Sequence, residues 1–356
     1  MQRWLPHHSG LRGNISRKGI YRKTALNDGT TQRKSALTRE KRQRIKQGGL
    51  FIPWVFSFGA ELEGLPLREY LEDATKLSNT LRTIHNYFKY DGVVSQGNTL
   101  LLAEALEYGL DQEESTICSK SGGSLPADFE KHVEQLPQNR KVATAIDVIQ
   151  RLNILLPDTP LLNIVPGPYT LARQLTGLET EEASLNPELL RMMTKVILTM
   201  VKSMGDAGAD MLIIHEEALP KLNDETAKLL RRCYAPLWNS AKFYELSPLL
   251  MLGQWLPENV DRLAKIADEI IFPTGSLPDN QRKIKRLSLS LPVSLLEKEP
   301  QEIQNFLEQQ EVLNIARESR LFLLSTDVEI PSGIHKESLI RGVQTIKDAI
   351  NQVLPH

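Results

Sequence analysis

Cysteine is almost missing: Cys118 and Cys233 are the only two in 356 residues. Two thiols cannot build a disulfide framework, a structural zinc site or an iron-sulfur cluster, and such scarcity suits a reducing cytoplasm. Long apolar runs are missing too. The most apolar stretches, such as MLII at 211–214, stop after four or five residues, against the roughly 20 needed to cross a bilayer. The chain therefore reads as a cytoplasmic protein outside the membrane. No apolar segment follows the N-terminal charges, which argues against a signal peptide. No GxGxxG or GxxxxGK[ST] string occurs, so nucleotide phosphate binding lacks its usual signature. Net charge is nearly absent as well, −1 from 43 basic and 44 acidic side chains. That balance removes the global electrostatic case for nucleic acid or a membrane surface as partner.

The balance conceals a polar chain. Residues 1–50 carry a net +11 and the remainder a net −12. Residues 1–49 form a basic arm rich in Arg, Lys, Ser, Thr and Gly, without apolar periodicity before Ile45, and are expected to be mostly unfolded. A transit-type presequence, a nucleic-acid-binding arm and a solvated extension all fit that composition. LTREKRQRIKQG at 37–48 is expected to form a short helix leading into the first strand.

From residue 50 to 356 short apolar runs alternate with longer helical periodicities, the pattern of a parallel sheet covered by helices. Strands are predicted near 51–57, 91–96, 161–165, 211–215, 249–253, 269–273, 290–296 and 321–326. Helices are predicted over 66–88, 99–108, 140–155, 168–176, 186–207, 224–243, 257–267, 278–286, 300–313 and 336–352. Eight strand-helix units favour an α/β fold of the (β/α)8 TIM barrel type, a single domain with an insertion near 110–140 that contains SGGS at 121–124. In such a barrel function sits at the strand exits, here Ser57 to Glu61, Ser95 to Asn98, Pro166 to Tyr169, His215 to Glu217, Gly253 to Trp255, Pro273 to Gly275 and Thr326 to Glu329.

Four of these stretches resemble one superfamily. PLLNIVPGPYTLARQLTG at 160–177, DGVVSQGNTLLLAEALEYG at 91–109, LFLLSTDVEIPSG at 321–333 and GADMLIIHEEALPKL at 208–222 are similar to segments of uroporphyrinogen decarboxylase, the zinc-dependent corrinoid methyltransferases and cobalamin-independent methionine synthase. The resemblance spans about residues 50–352 and implies a uroporphyrinogen decarboxylase-like barrel, with dimerisation through the barrel mouth.

The departures are as informative as the matches. The resemblance places Asn98 where the decarboxylase has its essential aspartate, and an amide cannot supply that negative charge. Ser57 and Glu61 replace the arginine pair that grips substrate carboxylates, Gln174 an active-site tyrosine, Glu217 a serine, and Asp327 or Val328 a histidine. An octa-acid tetrapyrrole would meet carboxylates there, which argues against uroporphyrinogen as substrate. The zinc methyltransferases carry His-x-Cys after the fifth strand and Cys after the eighth; here those exits read LGQWLP and TDVEIP. No Cys-ligated zinc is expected.

His215, Glu216, Glu217 and Asp327 are the candidate catalytic residues. His215 beside carboxylates suits a general base with a raised pKa, or the group could bind a divalent ion or a substrate amine, against a reading in which His215 and Glu217 point to one side and Glu216 is solvated or pairs with Arg or Lys. Asp327 and Glu329, two apart, could pair as acid and base. Ser57, Glu61, Gln96, Asn98, Tyr169, Gln174 and Trp255 are the candidate substrate contacts. Asn98 is also suited to cap a helix, and Trp54, Phe56, Phe58 and Tyr169 to fill the core or to stack against a ligand. Gln96, Asn98 and Gln174 would offer neutral amides, better matched to a corrinoid with peripheral amides than to uroporphyrinogen.

The leading expectation is zinc-independent methyl transfer between a corrinoid or folate-type carrier and a small acceptor, with a separate corrinoid protein as a candidate partner. The alternatives are a decarboxylase acting on a carboxylated tetrapyrrole or smaller acid, and a non-catalytic tetrapyrrole- or corrinoid-binding protein.

Overall fold

The computed structural model describes residues 39–106, 128–177, 185–277 and 286–354. Eight parallel strands run β1 (Leu50–Phe51), β2 (Val93–Gln96), β3 (Leu161–Pro166), β4 (Met211–Ala218), β5 (Ser247–Gln254), β6 (Ile270–Pro273), β7 (Leu287–Leu291) and β8 (Leu321–Thr326). They pair in the order β1-β8-β7-β6-β5-β4-β3-β2. This is the sequential order of a (β/α)8 barrel, with helices packed outside the sheet. β1 and β2, at the two ends of the order, share no ladder. Asp91 stitches that seam: its backbone N–H donates to the Phe51 carbonyl at 2.9 Å, and its carboxylate accepts from the Phe51 N–H at 2.8 Å.

Parallel strands buried on both faces need apolar side chains on both, and the burial pattern of β3 and β8 is unbroken. Facing comes from Glu216, whose partners Tyr169, Thr170 and Tyr234 belong to the helices Pro168–Thr176 and Asp224–Phe243. Glu216 therefore faces outward, and the period of two turns His215 and Glu217 to the barrel axis. The ladders carry this facing around the sheet. His215 lies opposite Met251, Met251 opposite Ile271, Ile271 opposite Ser288, and Ser288 opposite Leu323.

Several predicted boundaries move. The strand expected at 290–296 is β7 at Leu287–Leu291; Pro292 has no N–H to give a ladder, and Val293–Glu297 coil into a 3-10 turn. β1 pairs over only two residues because Pro53 interrupts the run. The 66–88 helix divides at Asp73, which accepts from the N–H groups of Thr75 and Lys76 and caps Ala74–Phe88. The 300–313 helix divides at Glu311, whose φ of 60° is left-handed, into Pro300–Gln309 and Val312–Arg317. Residues 257–267 make only a 3-10 turn and a single helical turn, Val260–Leu263. Most of the 278–286 helix lies outside the described residues, as do Cys118 and SGGS in the insertion. Within 110–140 the described part holds the helix Phe129–Gln135.

The basic arm ends in structure. Residues 39–47 are helical and lie against the strand starts. Lys41, itself buried, pairs with the half-buried Asp210 at 2.9 Å, and Asp210 also accepts from the Leu161 N–H. Arg44 reaches Asp91 at 2.5 Å, Arg286 donates to the Lys46 carbonyl at 2.9 Å, and Ile45 joins the core. Residues 1–38 lie outside the described residues. No described helix is long and apolar enough to cross a membrane.

Candidate active site

Three loops at the strand exits are tied to one another. The Trp54 N–H donates to the Thr326 hydroxyl at 3.1 Å, and the Ile330 N–H to the Trp54 carbonyl at 2.9 Å. The Ser57 N–H donates to Glu329 at 2.5 Å, and the Gly333 N–H to Glu61 at 2.7 Å. Asp327 accepts from the backbone of Val293 and of Val328, both at 2.9 Å, joining the β7 exit to that of β8. Ser57, Glu61, Asp327 and Glu329 thus hold loops in place. Asp327 and Glu329 serve different loops and share no hydrogen bond. Burial raises the Glu329 carboxyl above the usual range, while the Ser57 hydrogen bonds pull the other way.

Glu216 holds the scaffold too. It is fully buried and caps the helix Pro168–Thr176, accepting from the N–H of Tyr169 at 3.1 Å, the N–H of Thr170 at 2.7 Å and the Thr170 hydroxyl at 2.6 Å. Tyr234 adds a fourth hydrogen bond. Only glycine fits at 167, since a Cβ there would sit 2.1 Å from a Glu216 oxygen. Burial pushes the Glu216 carboxyl upward against these hydrogen bonds, and it pushes up the Tyr234 phenol, which also faces the carboxylate. The amide candidates divide. Asn98 accepts from the Leu100 N–H at 3.0 Å before the helix Leu101–Leu106, and Gln96 donates to the Asn98 carbonyl at 2.8 Å. Gln174 is different: both polar atoms of its amide are buried with no partner within the protein.

His215 is the unengaged centre. It is 7% exposed, and neither ring nitrogen has a partner within the protein. Trp54 meets it edge-on, ring centroids 5.6 Å apart. β1 and β4 are not neighbours in the sheet, so this contact crosses the interior. The Trp54 Nε1–H is also buried and unpartnered. Burial drives the His215 pKa down to about 4, opposite to the raised value expected from flanking carboxylates. The reason is geometric: Glu216 faces away, and Glu217 stands exposed at the rim. The imidazole is therefore neutral at neutral pH, with one N–H and one lone pair to offer.

Trp255 packs on Phe272 at 5.1 Å and leaves its Nε1–H unpartnered. Tyr169 is buried, with Arg173 5.9 Å above its ring. Sequence reasoning missed Ser288, Ser290 and Ser325, buried hydroxyls without partners within the protein. Their signal was the alternation LSLSL at 287–291, hidden once the strand was placed three residues too late.

The interior register positions of β3 to β8 carry one charged side chain, Glu217, and no thiol. Cys233 lies buried within the helix Asp224–Phe243. Among the described residues no three His, Cys, Asp or Glu side chains gather to hold a metal ion. Among the described residues, the donor set at these positions does not fit the zinc of the thiol methyltransferases, and these positions offer no guanidinium group for a carboxylate-rich tetrapyrrole.

Residues 55–228 match the family model described as uroporphyrinogen decarboxylase (URO-D). No curated protein matches the sequence. Among solved structures, a methyltransferase from Methanosarcina mazei is similar with a TM-score of 0.64 at 15% identity, covering 86% of this chain and 92% of that one. A B12-independent methionine synthase from Shewanella sp. W3-18-1 has a TM-score of 0.39 at 11% identity, covering 58% and 66%. The first likeness concerns the fold; the second is too distant to carry an argument.

Proposed function

We propose that this chain, whose residues 55–228 match the uroporphyrinogen decarboxylase family model, is a member of that superfamily and transfers a methyl group from a corrinoid or folate-type carrier to a small uncharged acceptor, without zinc. The observation that carries this reading is the neutral, unpartnered His215 imidazole facing Trp54 inside an almost uncharged barrel. An uncharged lining suits a carrier edged with amides better than a polycarboxylate, whose charges would lose water and gain no cation.

A carrier of this class would supply the methyl group. The protein's own groups receive and align the acceptor. Holding two reactants in line is itself worth several orders of magnitude in rate. A His215 pKa of about 4 also limits the acceptor. Deprotonating an ordinary thiol, with a pKa of about 8.5, would be uphill by roughly 6 kcal/mol. His215 therefore orients the acceptor by hydrogen bonding and does not ionise it beforehand. The acceptor that fits carries a lone pair in its neutral form and attacks without prior loss of a proton. As its bond to the methyl carbon forms, the carrier's bond to that carbon breaks.

The test is to incubate the full chain with 13C-methylcobalamin or 13C-methyltetrahydrofolate and a panel of neutral amines, thioethers and thiols, following the label by NMR. Label reaching a neutral acceptor supports the reading. Binding of the carrier without turnover would instead indicate a carrier protein. Release of CO2 from a carboxylated tetrapyrrole would replace methyl transfer with decarboxylation.

A further inference from the structure

β7 reads Leu-Ser-Leu-Ser-Leu over Leu287–Leu291. Ser288 and Ser290 lie opposite Ile271 and Pro273 on β6, while on β8 Ser288 faces Leu323 and Ser290 faces Ser325. Residues partnered across a parallel ladder share a face, and the line leading back to His215 puts all three serines toward the axis. The leucines between them point at the helices. Barrel interiors are usually packed by Val, Ile and Leu in layers; here one sector carries three of the smallest polar side chains. Ser288, Ser290 and Ser325 are 0%, 1% and 0% exposed, and none of their hydroxyls has a partner within the protein.

A buried hydroxyl can turn toward a nearby backbone carbonyl, as Thr326 beside them does with that of Val328 in the loop beyond β8. Three neighbours that all fail to do so form a group of donors and acceptors directed at the interior. Trp54 and His215, on the same interior, are unpartnered in the same way.

We propose that Ser288, Ser290 and Ser325 form a buried subsite that receives an uncharged, oxygen-bearing part of the acceptor, a hydroxyl, carbonyl or amide. This names the substrate class of the site and rests on the function proposed above. A hydroxyl both donates and accepts, so the trio matches carbonyl and alcohol oxygens alike. The interior register positions of β6, β7 and β8 hold no cation to neutralise a carboxylate and no anion to hold an ammonium group.

The test is probe binding to the full-length chain, with the His215 ring nitrogens observed by 15N NMR. N-methylacetamide and 1,2-propanediol are the uncharged probes; acetate and methylammonium are the charged controls. The expected result is a saturable His215 shift with the uncharged probes, a loss of affinity of at least fivefold in Ser290→Ala/Ser325→Ala, and retained binding in Ser290→Thr. The alanine variants should unfold at the same temperature as the parent or higher, since they remove polar groups that have no partner. Equal binding by parent and alanine variants, tighter binding of acetate or methylammonium, or alanine variants that melt lower would each overturn the proposal. No step requires turnover, so failure here leaves the methyl-transfer assay to be judged separately.

Discussion

Thr170 gives its hydroxyl proton to Glu216 at 2.6 Å and, through the same oxygen, accepts the Glu217 N–H at 3.0 Å. A carboxylate of β4 thereby fixes the helix that follows β3, and that helix fixes the course of β4 as it leaves the barrel. Glu216 faces outward so that His215, one residue earlier, is held facing inward.

Removing the Glu216 carboxylate leaves four buried donors unmet, each worth about 1–3 kcal/mol when orphaned. Glu216→Ala is expected to lose at least about 3 kcal/mol in urea unfolding, and Glu216→Gln less, because an amide oxygen still accepts. A Glu216→Ala protein as stable as the parent would show that the carboxylate does not brace the helix.

The Lys41–Asp210 pair joins the end of the basic arm to the strand starts. Lys41→Met strands a half-buried carboxylate whose pKa burial already raises, and is expected to cost about 3–5 kcal/mol. Adding Asp210→Asn should recover much of the loss, since the amide oxygen can still accept from Leu161. Truncation before residue 39 should be tolerated, whereas truncation through residue 47 should not. Denaturation of the four proteins checks all of this.

His215 makes stability depend on pH in a definite direction. Its ring binds a proton at about 4 in the fold against 6.5 unfolded, so the unfolded chain holds more protons between those values. Stability contributed by the neutral ring is present above pH 6.5, falls as pH drops through that window and is lost below about 4. The full effect is about 3 kcal/mol. The difference in unfolding free energy between the parent and His215→Gln should change by that amount from pH 7 to pH 4. A difference that stays flat, or changes with the opposite sign, contradicts a buried neutral ring.

The architecture was legible in the sequence because strand and helix periods are local properties. The helix at 168–176 and that at 224–243 have the bounds read from pattern alone. β7 was misplaced because SLPVSLL is as apolar as a strand, and the effect of Pro292 on the ladder is decisive only once the neighbouring strands are aligned. Within the site, His215 could be nominated from its place at a strand exit, and Trp54 as an aromatic of the first predicted strand suited to stacking or to the core. That Glu216 faces outward could not, because its four donors come from two helices remote in sequence. The direction of the His215 pKa depended on the same fact. The serine sector needed the register of three strands.

Methyl transfer past His215, as proposed, needs no metal ion, and the decisive measurement is the rate of 13C-methyl transfer to a neutral acceptor in the presence of EDTA. The expected result is transfer unaffected by the chelator, reduced at least tenfold in His215→Phe and less in His215→Asn, which keeps a hydrogen-bonding group. Transfer abolished by the chelator and restored by zinc, or transfer unchanged in His215→Phe, would contradict it.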